Sequence, residues 1–329
     1  MTVPAVADRA DLDLETVANI LRDSGIETSG RLRLNRSPWL RGSVDYILRD
    51  ATNQWILRHR RPSIASFPAW RIAREVRVQR ALAAVEFAVP RIVVAPGPPM
   101  DFYVRTSIDG LALRSSSDLA CLPPSVRWSV GMAYIDALAD LHRTDPAAVG
   151  LTDFGRPIGF LDRQLARWSK HWAAAAPRPV RGMEMLATLL AANMPTAAPA
   201  AVIHGNFRPE NVVFDPDTGR VRAILDWSMS TVGDPLTDLG TAFVFWEGLA
   251  DSAYPPAVSP GTHPGYPSWD ELLQRYVRHT GRSVDGFRWY QAFAYFRLAV
   301  MAGCVRDDDA AGDTVTETLV ERGLSLMLM

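Results

Sequence analysis

The sequence is poor in lysine and cysteine. Its 329 residues include a single lysine, Lys170, among 35 basic residues, and only two cysteines. Cys121 and Cys304 lie far apart and no C-x-x-C spacing occurs, so the sequence indicates neither a zinc site nor a disulfide framework. We therefore expect two buried thiols in a reducing compartment, and a cytoplasmic location.

The sequence also lacks a strong net charge and long apolar runs. A formal net charge of -1 argues against nucleic acid or an anionic membrane as a partner. No stretch reaches the length of a membrane span, and the first 23 residues lack the apolar core of a signal peptide. With 48% hydrophobic and 22% charged residues, the chain is typical of one two-lobed domain or two small globular ones.

Residues 202–240 carry the pattern on which the functional interpretation depends. Short apolar runs are separated by polar turns, so a loop leaves one strand at His204 and enters another at Asn211. A hairpin then brings Asp226 to the end of the next strand. The side chains of Asn211 and Asp226 offer hard oxygen ligands of the type that Mg²⁺ takes together with substrate phosphates. Phosphoryl transfer of the kinase type needs such a pair, plus a group that orients the attacking hydroxyl.

The same residues resemble those of a known family. The chain reads His204-Gly205-Asn206-x-x-x-x-Asn211, then Ile224-Leu225-Asp226-Trp227, then Gly233-Asp234-Pro235-x-x-Asp238-Leu239. It resembles the aminoglycoside phosphotransferases, and within them the phosphotransferase domain found fused to some acyl-CoA dehydrogenases. The match over residues 150–168 is specific to that branch. Two departures stand out, because the catalytic Asp of the family is Asn206 here, and a Glu of the branch is Ser228.

The resemblance implies an α+β, bilobal, protein-kinase-like fold. Residues 1–105 would form the smaller lobe, with an N-terminal helix, an antiparallel sheet and a helix that carries Glu75. Residues 106–329 would form a larger, mainly helical lobe with a catalytic loop at 202–214 and a metal-binding segment at 223–240. The sequence pattern predicts strands at 31–34, 44–49, 55–59, 89–94 and 102–105, and helices at 12–23, 125–143, 161–172, 269–281, 287–305 and 313–326.

In the smaller lobe, the resemblance assigns nucleotide-binding roles. Residues 40–46 align with a phosphate-binding loop in which Ser43 and Tyr46 match, although an ordinary β-turn is an alternative. Arg58 occupies the place of the strand lysine of kinases, where a planar guanidinium grips phosphate oxygens. Glu75 is its expected ion-pair partner, and a solvated charge is the alternative for Glu75.

The strand at 102–105 precedes the predicted hinge between the lobes. The resemblance implies that adenine is bound by backbone groups of Tyr103, Val104 and Arg105. The side chain of Arg105 replaces an uncharged residue of the branch. We expect it to face solvent, and the alternative is that it redirects the pocket toward an anionic ligand.

The catalytic segment receives the remaining roles. Asn211 and Asp226 are expected to bind Mg²⁺, and Arg208 to reach the γ-phosphate and offset charge in the transition state. His204 is expected to be structural, and Asp238 to brace the loop by accepting backbone hydrogen bonds. The amide of Asn206 can orient a hydroxyl but has no useful basicity. General-base help is typically worth ~10²–10⁴ in rate, so its loss predicts a slow kinase rather than an inert one.

Three interpretations follow from these residues. The first is an ATP- and Mg²⁺-dependent phosphotransferase acting on a hydroxyl of a small metabolite. The second is a catalytically silent kinase-fold protein that binds a nucleotide or metabolite. The third is a kinase-fold enzyme with another small-molecule reaction. By analogy, the branch suggests hydroxyacyl or other hydroxylated acceptors.

Overall fold

The computed structural model describes residues 13–36, 44–59, 72–97, 100–175, 179–250, 252, 254, 258–304 and 310–329. These residues fall into two compact units. The first comprises the described residues up to Ala83 together with Pro90–Ile108, and the second comprises Ala84–Val89 and the described residues from Asp109 onward. The boundary predicted after residue 105 lies inside a strand of the first unit, and it stays a prediction.

The first unit is built on a five-stranded antiparallel sheet in the order β1-β2-β3-β5-β4. Its elements are α1 (Leu14–Asp23), β1 (Arg33–Arg36), β2 (Val44–Arg49), β3 (Gln54–His59), α2 (Ile72–Ala83), β4 (Ile92–Val94) and β5 (Phe102–Thr106). The turn between β2 and β3 is closed by Asp50, whose carboxylate accepts from the backbone N–H groups of Thr52 and Asn53. This turn sets the register in which Arg49 pairs with Gln54.

The core of the first unit lies between the sheet and α1. Asp13 caps α1 by accepting backbone hydrogen bonds at its start. Val17 and Leu21 on the helix then pack with Leu48 and Leu57 of the sheet in one buried cluster. The helix forms because its apolar residues recur every three to four positions, which places them on one face.

The second unit is mainly helical. Its helices are α3 (Ser116–Cys121), α4 (Pro124–Arg143), α5 (Phe160–Ala175), α6 (Met183–Ala192), α7 (Leu236–Phe243), α8 (Trp269–Thr280), α9 (Phe287–Cys304) and α10 (Ala310–Leu328). Helix α9 is buried along most of its length and packs against α5, α6, α7 and α10. A helix that is apolar on all sides belongs in such a central position. A π-helical turn, Val244–Gly248, continues α7.

Four short strands place the catalytic segment. They are β6 (Ala201–Ile203), β7 (Val212–Phe214), β8 (Val221–Ile224) and β9 (Thr231–Gly233). The predicted hairpin is confirmed, because β7 and β8 pair antiparallel around the turn that follows Asp215. Strand β9 was not predicted, and it pairs antiparallel with β6. Within the described part of the chain, no helix is both long and apolar enough to span a bilayer.

Candidate active site

The loop after β6 is held at its start by Asp238, in the first turn of α7. The carboxylate accepts from the backbone N–H of His204 at 2.6 Å and from that of Gly205 at 2.7 Å. Burial alone would raise the pKa of Asp238, but the hydrogen bond from His142 and those from the loop lower the pKa below its ordinary value. The predicted brace is therefore present, as a buried, ionised carboxylate with two backbone donors.

His204 links this loop to the segment after β8. Its side chain is fully buried, and Nε2 lies 2.8 Å from the carbonyl oxygen of Leu225. Its Nδ1 accepts from the backbone N–H of Asn206 at 3.2 Å. Burial lowers the pKa of His204, which favours the neutral ring that these two contacts require. The contacts support the structural role that the sequence predicts.

Gly205 is fixed on both sides of its peptide unit. It adopts a φ of 81°, and a Cβ there would lie 2.4 Å from the carbonyl oxygen of Met229, so only glycine fits. Its own carbonyl oxygen accepts from Nη2 of Arg297 at 2.7 Å. The guanidinium of Arg297 also lies 5.4 Å from the ring centre of Trp168. Burial lowers the pKa of Arg297 to about 10, so the group stays charged at neutral pH.

Arg297 was missed by the sequence analysis. The available signal was an arginine in the middle of the apolar pattern of α9, away from the exposed Arg288 at the start of the helix. A charge that is almost fully buried needs partners.

The structure brings Asn206, Asn211 and Asp226 together. The amide nitrogen of Asn206 donates to Oδ2 of Asp226 at 3.2 Å, and its backbone carbonyl accepts from the amide nitrogen of Asn211 at 2.9 Å. The backbone N–H of Leu225 donates to the carbonyl of Asn211 at 2.8 Å. Two residues of the predicted catalytic loop and one from the segment after β8 thus form one hydrogen-bonded group.

Asp226 lies two residues beyond β8 in an uncommon backbone conformation. Its φ of 62° and ψ of 64° fall in the left-handed region, which residues with a side chain adopt rarely and often at functional sites. The hydroxyl of Ser228 donates to its Oδ1 at 2.9 Å. Both carboxylate oxygens of Asp226 therefore accept hydrogen bonds from neutral side chains.

The candidate metal ligands are two oxygen-bearing side chains, which suit Mg²⁺ when water and phosphate complete its coordination. Because the amide nitrogen of Asn211 donates to the loop, its amide oxygen is the atom suited to a metal. The carboxylate of Asp226 is the second candidate ligand, and Asn206 is hydrogen-bonded to both residues. In the described residues, no group of three or more His, Cys, Asp and Glu side chains could hold a metal. Two protein ligands suffice only for an ion that keeps waters and arrives with phosphates, which is how Mg²⁺ is usually bound.

Arg208 is oriented from two sides. It forms an ion pair with Glu210, and both side chains are about a quarter exposed, at 23% and 24%. Its guanidinium also lies 5.0 Å from the ring centre of Phe245, within the π-helical turn. A contact between Arg208 and a γ-phosphate stays a prediction.

In the first unit, the expected ion pair of Arg58 and Glu75 is formed. Nη1 of Arg58 lies 2.7 Å from Oε2 of Glu75, and both side chains are buried. The hydroxyl of Tyr103 donates to the same Oε2 at 3.0 Å. Nε of Arg58 lies 2.6 Å from Oδ1 of Asp45, a partner that the sequence analysis missed. The nucleotide-binding roles of these residues stay predictions.

The prediction that Arg105 faces solvent is wrong. The residue is only 6% exposed, and its Nη2 lies 3.4 Å from Oδ2 of Asp45. The physical reason is the place of β5, which pairs with β3 on one side and β4 on the other. Tyr103 and Val104 lie on the same strand, and their contact with adenine is untested. Ser43 lies outside the described residues.

The chain is similar in sequence and in fold to known phosphotransferases. The sequence model of the phosphotransferase enzyme family matches residues 42–272. Acyl-CoA dehydrogenase family member 11 from Rattus norvegicus is 30% identical over 83% of this chain, which spans 36% of that protein. A Ralstonia eutropha protein assigned to the aminoglycoside phosphotransferases shares 24% identity, with a TM-score of 0.80 over 96% of this chain and 98% of that chain.

A ternary complex of a thermostable aminoglycoside phosphotransferase APH(4)-Ia mutant with ADP and hygromycin B shares 16% identity, with a TM-score of 0.58 over 94% of this chain and 99% of that chain. These likenesses confirm the kinase-like α+β fold predicted from the sequence. Because the family model covers more than half of the sequence, the chain belongs to the phosphotransferase enzyme family.

Proposed function

We propose that this protein transfers the γ-phosphoryl group of ATP to a hydroxyl of a small metabolite, with Mg²⁺ as cofactor. The observation that carries the proposal is a hydrogen-bonded group in which Asn206 and Asn211, on a loop braced by Asp238, meet Asp226 from the segment after β8. Family membership supports phosphoryl transfer to a small molecule, and the similar ADP complex supports ATP as the donor.

Each residue has a stated task in this reaction. The bond between the γ-phosphorus and the oxygen that bridges to the β-phosphorus breaks, the acceptor oxygen bonds to phosphorus, and ADP leaves. Asn211 and Asp226 would hold Mg²⁺, which neutralises phosphate charge when bound. Arg208 would offset charge on the transferred group.

Asn206 orients the acceptor hydroxyl without taking its proton. An amide has no useful basicity, so the proton leaves to solvent water. Positioning and electrostatics carry most of the catalysis of phosphoryl transfer, because its transition state is loose. We therefore propose a slow enzyme.

A second candidate function is silent binding of a nucleotide or metabolite. The observation in its favour is that Asp226 already accepts hydrogen bonds on both oxygens, from Asn206 and Ser228. Such a carboxylate is satisfied without a metal. A kinase-fold enzyme with another small-molecule reaction is the remaining alternative.

Two experiments distinguish these candidate functions. The first is thermal denaturation with ATP, in the presence and absence of Mg²⁺, and the second is an assay of ADP release. A ligand that binds only the folded state raises the midpoint, by an amount set by its concentration relative to its Kd. We expect ATP to raise the midpoint more in Mg²⁺ than in EDTA, and ADP release to increase with the correct acceptor. Binding without ADP release for any acceptor favours silent binding, and absence of ATP binding removes the proposal.

The acceptor panel follows from the relatives. The chain matches about a third of a relative named acyl-CoA dehydrogenase family member 11. Because that name refers to acyl compounds, hydroxyacyl compounds are the first acceptors to test, by analogy. Aminoglycosides form the second group, because hygromycin B is bound in the similar ADP complex.

The ion pair of Arg58 and Glu75 gives a prediction for nucleotide affinity. Glu75→Gln should weaken ATP binding because it releases Arg58, and Arg58→Met should weaken it directly. The double variant should bind ATP no more weakly than Arg58→Met, since Glu75 acts through Arg58. Isothermal titration of the four proteins measures the coupling, and additive losses would show that the two residues act independently.

A further inference from the structure

Asp45 is a buried carboxylate that the sequence motifs do not identify. It lies on β2 directly opposite Arg58 of β3, in the register set by the turn at Asp50. Asp45 is 1% exposed and Arg58 is 3% exposed. Their contact, 2.6 Å between Oδ1 and Nε, is a charge-assisted hydrogen bond shielded from water.

Two carboxylates fix the plane of the Arg58 guanidinium. Asp45 binds Nε of Arg58. Glu75, on helix α2, binds Nη1, with 2.7 Å between Nη1 and Oε2. A guanidinium is a rigid planar fork, so two anchored nitrogens determine the direction of the whole group. With Glu75 as its partner but without Asp45, the guanidinium of Arg58 could rotate about its hydrogen bond to Glu75.

Arg105 balances the charge of this arrangement. Its Nη2 approaches the second oxygen of Asp45 at 3.4 Å, so Asp45 lies between two arginines. The buried set of Asp45, Glu75, Arg58 and Arg105 has two charges of each sign. Burial of this many charges is tolerated only when they are paired, which explains why Arg105 lies inside the sheet.

We propose that Asp45 is a positioning residue for the phosphates of the nucleotide, and that it acts by orienting Arg58 while Arg105 compensates its charge. The inference rests on the proposed function, because it takes Arg58 as a phosphate-binding group. It extends the site by one carboxylate on β2, and it gives Arg105 a role that does not require contact with a ligand.

The test compares ATP with adenosine, which lacks phosphates. The double variant Asp45→Leu/Arg105→Met removes one charge of each sign, so the net charge is unchanged and Arg58 loses only its second anchor. Replacing a buried ion pair by apolar residues of similar size often preserves stability. Calorimetry in Mg²⁺ should show the ratio of ATP affinity to adenosine affinity lowered by about tenfold or more.

Asp50→Asn is the matched control. Asp50 lies at the end of the same hairpin and accepts backbone hydrogen bonds in the turn. Asparagine keeps one acceptor oxygen for these bonds, so we expect the turn and the register of Asp45 and Arg58 to persist while stability falls. We expect the ratio of ATP to adenosine affinity in this variant to equal that of the wild type.

The outcomes distinguish a failure of the proposed function from a failure of the role proposed for Asp45. A wild type that binds ATP no better than adenosine contradicts the proposed function. A wild type that prefers ATP, with the same preference in the folded double variant, overturns the role of Asp45. If Asp45→Leu/Arg105→Met does not fold, Asp45→Asn/Arg105→Gln replaces it. That variant should also show a weaker preference for ATP over adenosine than the wild type, because an amide binds a guanidinium less firmly than a carboxylate does. An unchanged preference there overturns the role equally.

Discussion

Asp226→Ala is expected to remove the dependence of ATP binding on Mg²⁺ and to lower turnover by about 10²-fold or more. The carboxylate is the only formal negative charge in its hydrogen-bonded group with Asn206, Asn211 and Ser228. A bound metal supplies several kcal/mol of charge stabilisation to a reaction, and about 1.4 kcal/mol corresponds to tenfold in rate. ATP affinity, measured by titration in Mg²⁺ and in EDTA, should become equal in the two buffers.

Asp215→Ala is the control for this variant. Asp215 is a carboxylate at the other end of the β7–β8 hairpin, where it accepts hydrogen bonds from turn residues and from Arg222. Its loss should lower the thermal midpoint while the effect of Mg²⁺ on ATP affinity persists. If Asp226→Ala binds ATP in Mg²⁺ as the wild type does, the assignment of Asp226 to the metal is wrong.

Asn206→Asp is expected to raise phosphoryl transfer by up to ~10²–10⁴-fold, because it supplies a base beside the acceptor hydroxyl. The structure adds a condition to this gain. The amide nitrogen of Asn206 lies 3.2 Å from Oδ2 of Asp226, so the variant places two carboxylates in contact. Like charges at this distance repel unless a cation lies between them. The variant should therefore have a lower thermal midpoint than the wild type in EDTA, and Mg²⁺ should remove much of that difference.

The measurements are ADP release with acceptor present and thermal denaturation with and without Mg²⁺. Asn193→Asp is the control, since Asn193 only caps α6 by donating to the carbonyl of Leu189. It should leave turnover and the effect of Mg²⁺ unchanged. A wild type as fast as Asn206→Asp would show that the base contributes little, and absence of turnover in both proteins would favour the silent alternative.

The parts of the site that the sequence predicted are those governed by local chemistry. The hairpin that delivers Asp226 follows from apolar runs around a turn rich in Asp and Gly. The pairing of Arg58 with Glu75 followed from the resemblance, and the structure confirms the contact. Strand β9 has only three residues, too few for a periodic pattern, and it pairs with a strand thirty residues earlier in the chain.

Asp45 could have been found by register. Strands β2 and β3 were both predicted, and the turn between Arg49 and Gln54 fixes which residues face each other. Counting back from that pair places Asp45 opposite Arg58. Arg105 could not be assigned in this way, because its burial depends on the order of strands in the sheet, which local pattern does not determine. Arg297 reaches the loop through the packing of α9, which is equally non-local.

The backbone of Gly205 is held by Asp238 and Arg297, and neither contact depends on which side chain follows at position 206. The nitrogen of this glycine is held from α7 and its oxygen from α9, so both connections come from helices outside the loop. The backbone that leads into position 206 is therefore held by contacts that do not involve the side chain at that position. We expect Asn206→Asp to keep this backbone orientation, so that its effects report the exchange of an amide for a carboxylate beside Asp226.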